Sequence, residues 1–260
     1  MPDSSNDAAR PPLDPAALVR APWPVEVVEE IPSTNAALLD AAASTDPGVL
    51  PRCLVAEHQS AGRGRMQRSW TSPPRAGLTF SVGLRPGCPQ QAWSWLPLLA
   101  GVAVREALAG FGVAAALKWP NDVLIAERKV AGILAQSAGD AVVIGVGINV
   151  STTAGELPVP AATSLAVEGF RVDRSGLLVS CLGALEARYA AWAAAGGDAT
   201  ASGSAAAYRD ACTTLGRDVE VRQTDGTLLR GRAGNIDAAG RLVVDGQAVS
   251  AGDVEHLRPA

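Results

Sequence analysis

The sequence predicts an α+β protein whose C-terminal part is a small all-β unit. Two long runs, at about 93–109 and 175–195, have apolar residues at helical spacing, whereas 115–150 is a series of short β-branched segments joined by tight turns. From about Leu215 onward the chain changes to short strands separated by DG, NIDAAG and DG turns, which is a pattern of hairpins. With 260 residues, 48% of them hydrophobic, the chain can bury one large core and a smaller second one.

The remaining elements are predicted from the N-terminus onward. Residues 1–22 are rich in proline and small residues, which predicts a flexible tail. A strand is predicted at 25–28, and Ser33 and Thr34 can cap the helix formed by the AALLDAAA run. The segments CLVAEHQ and GLTFSVGL predict two strands on either side of a loop rich in glycine and arginine. Later strands are predicted for AALKW, DVLIAE, KVAGILAQS and AVVIGVGINV, with turns at PND and AERK.

These elements predict three parts of the chain. We expect a flexible tail over 1–22, a main ligand-binding domain over 23–212 and a small C-terminal domain over 213–260. The last boundary is placed where the pattern of short strands separated by turns begins, near residue 215.

The charge of the chain argues against a nucleic-acid-binding protein. Its formal net charge is -4, and charged residues make up 18% of the sequence. Nucleic-acid-binding domains usually carry a basic excess, because neutralisation of phosphates supplies most of their affinity. The local basic segments of this chain are therefore expected to bind a smaller anion.

Cysteine usage and the lack of long apolar runs predict a soluble, cytoplasmic protein. The cysteines contain no CxxC pair and are not at metal-ligand spacing from His58 or His256, so we expect free thiols rather than a disulfide framework. The initial segment MPDSSNDAARPPLDP has acids and prolines but no apolar run, so it predicts neither a signal peptide nor an anchor. No stretch approaches the ~18 apolar residues of a transmembrane helix. The cysteines are Cys53, Cys88, Cys181 and Cys212.

The most distinctive local feature is a glycine-containing loop with arginines at Arg63, Arg65 and Arg68, followed by Trp70. Glycine lets a backbone approach a ligand closely, and arginine offers a planar, permanently charged fork that matches carboxylate and phosphate oxygens. The tryptophan is suited to stack on a purine ring. On composition alone, a solvated basic loop is an equally good interpretation. The loop lacks the Gly-Lys-Ser/Thr of a Walker A sequence and the third glycine of a dinucleotide fingerprint.

Other candidate residues are ordinary when each is considered alone. Gly145 and Gly147 lie in a β-rich run with no helix after it, which predicts a strand that a ligand or a neighbouring backbone approaches closely. Lys118 and Lys129 flank apolar strands, where solvated surface lysines are common. The Asn-Asp pair at 121–122, after a proline, is by itself a good turn.

Taken together and in order, five motifs resemble those of the biotin–protein ligases, also called biotin–acetyl-CoA-carboxylase ligases. The motifs are STN at 33–35, EHQSAGRGR at 57–65, KWPNDV at 118–123, KVAGIL at 129–134 and GVGINV at 145–150. The resemblance covers about 23–258, and the combination is very specific, whereas a lone GxG is not. It implies a catalytic domain similar to the class II aminoacyl-tRNA synthetase core, with a mixed sheet and helices, followed by a small SH3-like β-barrel.

The resemblance implies an ATP-dependent enzyme that works in two steps. Biotin is activated to biotinyl-5'-AMP with release of pyrophosphate, and is then passed to a lysine of a biotin carboxyl carrier domain with release of AMP. ATP and Mg2+ are a substrate and its counter-ion, and no permanently bound cofactor is expected. The acceptor is expected to belong to an acyl-CoA or pyruvate carboxylase. Because two anions must meet in the first step, catalysis is mainly positioning and electrostatic stabilisation, which gives the cation cluster a purpose.

The resemblance also implies roles for individual residues. Lys129 is the expected catalytic cation, Arg63 belongs to a loop that closes over the ligands, and Lys118 stabilises developing charge. Asp122 is the residue expected nearest to a nucleotide-bound magnesium. Biotin is expected to contact Ser33, Thr34, Asn35, Gln59, Gly62, Arg63, Lys129 and Gly132. ATP is expected to contact Arg65, Arg68, Trp70, Asn121, Asp122, Lys129 and Asn149, with the adenine on Trp70.

The sequence departs from the family pattern in three places. Met66-Gln67 stands where a basic residue and a glycine are common, and Ala131 replaces a frequent glycine. Some members carry a winged-helix domain ahead of the core, which needs ~60 residues, whereas about 22 polar ones precede the first strand here. We therefore expect a ligase without repressor function, with no DNA or membrane partner, as a monomer or weak homodimer.

Three alternatives remain open at this stage. A lipoate- or octanoyl-transferring enzyme is similar in fold and acyl chemistry, although the GRGR loop with KWPND and the C-terminal unit favour biotin. A non-catalytic biotin or nucleotide sensor would need neither both lysines nor all three arginines. A purely structural interaction domain leaves the cation cluster without a purpose.

Overall fold

The computed structural model describes residues 10–43 and 46–257. Within these residues the chain forms five α-helices and twelve β-strands. The helices are α1 (Pro15–Leu18), α2 (Thr34–Ala42), α3 (Leu96–Ala109), α4 (Arg174–Ala194) and α5 (Ser204–Ala211). The strands are β1 (Val25–Ile31), β2 (Arg52–Gln59), β3 (Gly77–Leu84), β4 (Ala116–Lys118), β5 (Asp122–Ile125), β6 (Arg128–Ala138), β7 (Ala141–Asn149), β8 (Asp218–Gln223), β9 (Leu228–Ile236), β10 (Leu242–Val244), β11 (Gln247–Val249) and β12 (Gly252–His256).

The main sheet has seven strands in the order β1-β2-β3-β7-β6-β5-β4. Strands β1 and β2 are parallel, and the other neighbours are antiparallel. Helix α2 packs on one face of the sheet and α3 on the other, with α4 packed on α3. The predicted α+β architecture with a mixed sheet and helices is confirmed.

The two faces of the central strand β7 differ, and the difference makes room for a ligand. One face is fully apolar and lies in the large core beneath α3 and α4. That face carries Val142, Ile144, Val146 and Ile148. On the opposite face Val143 packs beneath α2 with Leu38 and Leu54, but the next two positions on this face are Gly145 and Gly147. Beside the start of α2, these two positions of β7 therefore contribute no side chains of their own to this face.

The segment from residue 10 to 22 is packed on the core, so the prediction of a flexible tail is wrong for these residues. Leu13 and Leu18 are buried in the main core, and the backbone N–H of Leu13 donates to Glu57 at 2.6 Å. Glu57 is itself buried and forms an ion pair with Arg174 at 2.7 Å. A buried carboxylate needs such donors, and the segment supplies one of them. Residues 1–9 of the predicted tail lie outside the described residues.

The C-terminal part forms a five-stranded antiparallel sheet in the order β11-β10-β9-β8-β12, which confirms the predicted small β unit. Two tryptophans fasten it to the main domain. Trp95 Nε1 donates to the carbonyl of Ala238 at 2.7 Å, and Trp119 Nε1 donates to that of Gly240 at 3.0 Å. Helix α5, which the sequence did not predict, packs between α3 and this sheet. Strand β12 is thereby held beside the main-domain ligand face.

All four cysteines are free, and Cys53, Cys181 and Cys212 are buried, as predicted. Burial raises the pKa of Cys181 to about 12. Among the residues that the structure describes, no helix is long and apolar enough to cross a membrane.

Candidate functional site

A cavity of about 310 Å³ opens on the α2 face of the main sheet, above β6 and β7. Its walls come from the start of α2, the loop between β2 and β3, the turn between β4 and β5, and β12. Its floor is made of glycines: Gly132 pairs with Gly147 across the two strands, and Gly145 lies two residues along β7. The polar side chains of the walls therefore surround a surface that a flat ligand can approach closely.

One end of the cavity is a polar corner formed by Thr34, Gln59 and Ser81. Thr34 donates its backbone N–H and its hydroxyl to Gln59 Oε1, at 2.8 and 3.0 Å, and its hydroxyl lies 2.7 Å from Ser81 Oγ. Ser33 Oγ accepts from the N–H of Ala36 at 3.4 Å and caps α2 as predicted. Because Gln59 accepts twice at its oxygen, its NH2 group remains to donate. The corner is shaped by neutral groups that satisfy one another.

Asn35 holds the start of α2 above the sheet. Its Nδ2 donates to the carbonyl of Leu134 at 3.1 Å and to Gln136 Oε1 at 2.9 Å, and its Oδ1 accepts from Ser81 at 2.6 Å. The side chain lies directly over Gly145, where any Cβ would overlap Asn35 Oδ1. Asn35 lines the cavity, but its hydrogen bonds go to the protein.

The arginine loop is a short hairpin that leans over the cavity. Its ends are joined by a bridge between Arg63 and Ser69, and the N–H of Gly64 donates to the carbonyl of Arg68 at 2.7 Å. Arg68 forms an ion pair with Asp253 of β12, and Arg65 Nη1 lies 3.4 Å from Asn121 Oδ1. The loop therefore contacts both the C-terminal sheet and the turn between β4 and β5.

Trp70, at the end of this loop, lies on the glycine floor. A Cβ on Gly147 would overlap the indole, and one on Gly132 would lie 3.3 Å from Cζ3. Lys129 Nζ is 5.7 Å from the ring centroid, within cation–π distance. Gly62 lets the loop turn sharply here, because a Cβ at that position would overlap the carbonyl oxygen of Trp70.

The middle of the cavity concentrates positive charge around one carboxylate. Lys129 Nζ lies 2.6 Å from Asp122 Oδ1. Burial lowers the pKa of Lys118, with Lys129 adding to the effect and Asp122 and Glu255 opposing it. Burial likewise lowers the pKa of Arg65, and Asp122 opposes this shift. Cations that are short of water and of counter-charges gain most from an anionic ligand.

The turn between β4 and β5 is tied to the glycine floor. Asn121 Nδ2 donates to the carbonyl of Ile133 at 3.0 Å, and the carbonyl of Asn121 accepts from the N–H of Ile133 at 2.9 Å. This places Asn121 and Asp122 between the arginine loop and Lys129. Among the described residues, no group of three His, Cys, Asp or Glu side chains could hold a metal ion.

The structure brings most of the predicted site residues into one cavity. Its lining includes Ser33, Thr34, Asn35, Gln59, Arg63, Arg65, Arg68, Trp70, Lys118, Asn121, Asp122, Lys129 and Gly132. Gly62 and Asn149 are outside the lining. Asn149 is buried at the end of β7, on the same face as Gly145 and Gly147, and its Nδ2 donates to the carbonyl of Thr163 at 2.9 Å.

Sequence reasoning missed two kinds of residue at this site. Ser81 sits behind the polar corner, and Asp253 and Glu255 reach the cavity from the C-terminal sheet. A serine inside an apolar strand run was a usable signal for Ser81. No signal pointed to Asp253 and Glu255, because their role depends on how the two sheets pack.

The chain matches two protein-family models. The Biotin/lipoate A/B protein ligase family matches residues 27–149, and the Biotin protein ligase C terminal domain matches residues 214–257. The first match covers most of the main sheet and the second covers the C-terminal sheet.

Curated relatives agree with these matches. The chain is 43% identical to the biotin--[acetyl-CoA-carboxylase] ligase of Mycobacterium tuberculosis, over 98% of this chain and 100% of the relative. It is 35% identical to the bifunctional ligase/repressor BirA of Bacillus spizizenii, over 75% of this chain and 61% of the relative.

Solved structures give the same result. The chain is similar to a biotin protein ligase from Aquifex aeolicus in complex with biotin and ATP, with a TM-score of 0.75 and 26% identity over 91% of this chain and 99% of the other. It is also similar to a biotin protein ligase from Leishmania major in complex with biotinyl-5-AMP, with a TM-score of 0.61 and 25% identity over 92% and 100% of the two chains.

Proposed function

The chain belongs to the biotin protein ligase family, and from this premise we propose how its cavity performs the ligase reaction. The protein is an ATP-dependent biotin–protein ligase, which forms biotinyl-5'-AMP with release of pyrophosphate and transfers biotin to an acceptor lysine with release of AMP. The observation that carries the proposal is the single cavity that joins a neutral polar corner to a cluster of partly buried cations.

The neutral corner is the proposed site of the biotin ring system. The NH2 group of Gln59 can donate to the ureido oxygen, and the hydroxyl of Thr34, whose hydrogen goes to Gln59, can accept from a ureido N–H. The glycine floor accommodates the flat bicyclic ring. Trp70 lies on Gly132 and Gly147, beside this corner, so we now assign it to biotin rather than to the adenine ring.

The cation cluster is the proposed site of the reacting anions. The biotin carboxylate attacks the α-phosphorus, and the bond to the departing pyrophosphate breaks. Lys129, placed between Trp70 and Asp122, lies where it can neutralise both the carboxylate and the α-phosphate. Arg65, Arg68 and Lys118 surround the phosphates on the remaining side, and Arg63 extends from the same loop.

The nucleotide enters as its magnesium complex. Magnesium in such sites is bound mainly by substrate phosphates, with one or two carboxylates from the protein. Asp122 is the carboxylate proposed to face it, and Asn121 beside it is proposed to contact the nucleotide. Asn149 lies outside the cavity lining and its Nδ2 is bonded to Thr163, so we propose that it supports the end of the glycine floor instead of touching ATP.

The acceptor is proposed to be a lysine of a biotin carboxyl carrier domain from an acyl-CoA or pyruvate carboxylase. The lysine amine attacks the acyl carbon of the adenylate, and AMP departs. We also propose that the main domain, over 23–212, is of the class II aminoacyl-tRNA synthetase type and that 213–260 is an SH3-like barrel. The mixed sheet and the hairpin-rich five-stranded sheet support these assignments.

Pyrophosphate release by the purified protein tests the proposal. The assay contains ATP and magnesium, with biotin or lipoate added separately, and hydroxylamine to intercept the bound adenylate and permit turnover. We expect release that requires biotin. Release with lipoate alone would assign the chain to a lipoate-activating branch, and biotin binding without release would make it a sensor.

A further inference from the structure

A segment outside both matched regions holds the backbone of the proposed catalytic lysine. The N–H of Lys129 donates to the carbonyl of Ala161 at 2.8 Å, and the carbonyl of Lys129 accepts from the N–H of Thr163 at 2.8 Å. Ala162 thus pairs with Lys129 as a parallel bridge. The ladder between β6 and β7 runs from Ala138 to Ala131, so Lys129 lies beyond it. The segment 161–163 takes the place of β7 beside the start of β6.

The same segment also holds Asn149. The carbonyl of Thr163 accepts from Asn149 Nδ2 at 2.9 Å, and the carbonyl of Asn149 accepts from the N–H of Leu165 at 3.0 Å. Thr163 is fully buried and Asn149 is 5% exposed. One residue therefore joins the backbone of Lys129 to the end of the glycine-bearing strand.

Glu168 completes a ring around Lys129. Its Oε1 accepts from Thr163 Oγ1 at 2.6 Å and from Arg128 Nη2 at 2.7 Å. Arg128 precedes Lys129 in the chain, so the ring runs from Lys129 to Thr163, to Glu168, to Arg128 and back to Lys129. The Glu168 side chain is 13% exposed and does not line the cavity. Its influence on a ligand would have to pass through Lys129 or Asn149, the two residues that Thr163 joins.

We propose that Glu168 and Thr163 are positioning residues for adenylate formation, an inference that rests on the proposed function. The Lys129 ammonium is held at the far end of its four-carbon stem by Asp122 and Trp70, so a shift of its backbone would stretch or break those contacts. Productive geometry tolerates displacements of only about 0.5 Å. The ring fixes the Lys129 backbone on the side that no strand of the main sheet supports. Biotin recognition at Thr34 and Gln59 lies outside the ring.

Substitutions at Glu168 separate positioning from simple structural support. Glu168→Ala is expected to lower kcat for biotin-dependent pyrophosphate release by about tenfold, with the KM values for biotin and ATP within about twofold of the wild type. Glu168→Gln retains an oxygen that accepts from Thr163 and Arg128, so it is expected to restore most of the rate. Glu106→Ala is the matched control, because it removes an ion pair with Arg188 between α3 and α4, away from the cavity.

All variants are assayed well below their unfolding midpoints, measured by circular dichroism. Should Glu168→Ala not fold, Arg128→Ala removes a partner of the same oxygen from a half-exposed position and is expected to give a smaller fall in kcat. If the wild-type protein releases pyrophosphate in response to biotin but the folded Glu168 or Arg128 variant has an unchanged kcat, the positioning role is wrong. The proposed function would then stand. An equal fall of kcat in the Glu106 variant would also overturn the positioning role. A wild-type protein that does not respond to biotin would overturn the proposed function itself, together with the role that rests on it.

Discussion

The polar corner and the arginine loop face each other across one cavity but are held in opposite ways. In the corner, Thr34 donates to Gln59 through its backbone and its hydroxyl, and Ser81 beside it donates to Asn35. In the loop, Arg68 is held by a carboxylate of the C-terminal sheet, and it exposes most of its side chain. The comparison teaches that the corner is shaped before a ligand arrives, whereas the loop is held by an anion that a phosphate would replace.

Lys129 lies where the two regions meet, and its loss is expected to have the largest effect. Lys129→Ala removes the cation beside Asp122 and should lower biotin-dependent pyrophosphate release by about 10²–10³-fold, as expected for loss of charge stabilisation in a transition state. The neutral corner is untouched, so biotin binding measured by calorimetry should change far less. Near-normal release by a folded Lys129→Ala protein would show that the reaction uses another cation.

Gly145→Ala breaks the preformed corner itself. The added Cβ would overlap Asn35 Oδ1, so Asn35 must move and release its bonds to the sheet. We expect the free energy of unfolding, measured with urea, to fall by about 1–3 kcal/mol. The Kd for biotin, measured by calorimetry, should rise roughly tenfold or more. Gly183→Ala is the control, because nothing lies near an added methyl in the exposed middle of α4. Gly183→Ala should stabilise the protein by about 0.5–1 kcal/mol. An unaltered biotin affinity in the Gly145 variant would argue against the assignment of the corner to biotin.

The Arg68–Asp253 pair tests the ligand-dependent half of the comparison. Arg68→Ala should raise the KM for ATP by about tenfold, because a charge-assisted contact to phosphate is lost. Asp253→Asn should lower the same KM by about two- to threefold, because a competing anion becomes neutral at an exposed site. Biotin affinity should stay constant in both. Steady-state kinetics at two salt concentrations measure these changes, and a raised KM in the Asp253 variant would mean that the pair orders the loop for ATP.

Lowering the pH should weaken the packing of the C-terminal sheet on the main domain. This is the smallest of the effects that we expect. Burial, together with the charges of Lys118 and Arg217, lowers the pKa of His256 to about 4, and Glu127 opposes them. The unfolded chain binds this proton at a higher pH, so the contribution of His256 is complete above its unfolded value of about 6.5 and is lost as the pH falls towards 4. Urea unfolding between pH 7.5 and 4.5 should show this loss. His256→Gln, which can still bond Thr214, should flatten the slope in that window.

The sequence was sufficient where local pattern decides the structure. The Ser33 cap, the long helices and the alternating strands follow from spacing, and most of the site residues could be placed because their motifs lie on elements that converge on one cavity. It was insufficient where packing decides. The burial of Leu13 depends on Glu57 and Arg174, which lie far away in the chain.

The placement of Asn149 shows the same limit within the site. Its side chain shares a face of β7 with the glycine floor, but its bond to Thr163 could not be read from the motif. Position 163 carries no motif, and its contact with Lys129 arises because β7 ends before β6 begins. Asp253 and Glu255 likewise gain their place from the docking of a second sheet.

Because β12 forms part of the cavity wall, the site is complete only after the ribosome has made and released that strand. Residues 253–255 line the same cavity as residues 33–35, which the ribosome makes far earlier. A nascent chain exposes the residues of the main sheet and its glycine floor while β12 is still inside the exit tunnel. It cannot close the phosphate side of the cavity until that strand emerges and pairs with β8. A translation product that stops short of β12 would therefore contain every residue of the polar corner while lacking the wall that faces ATP.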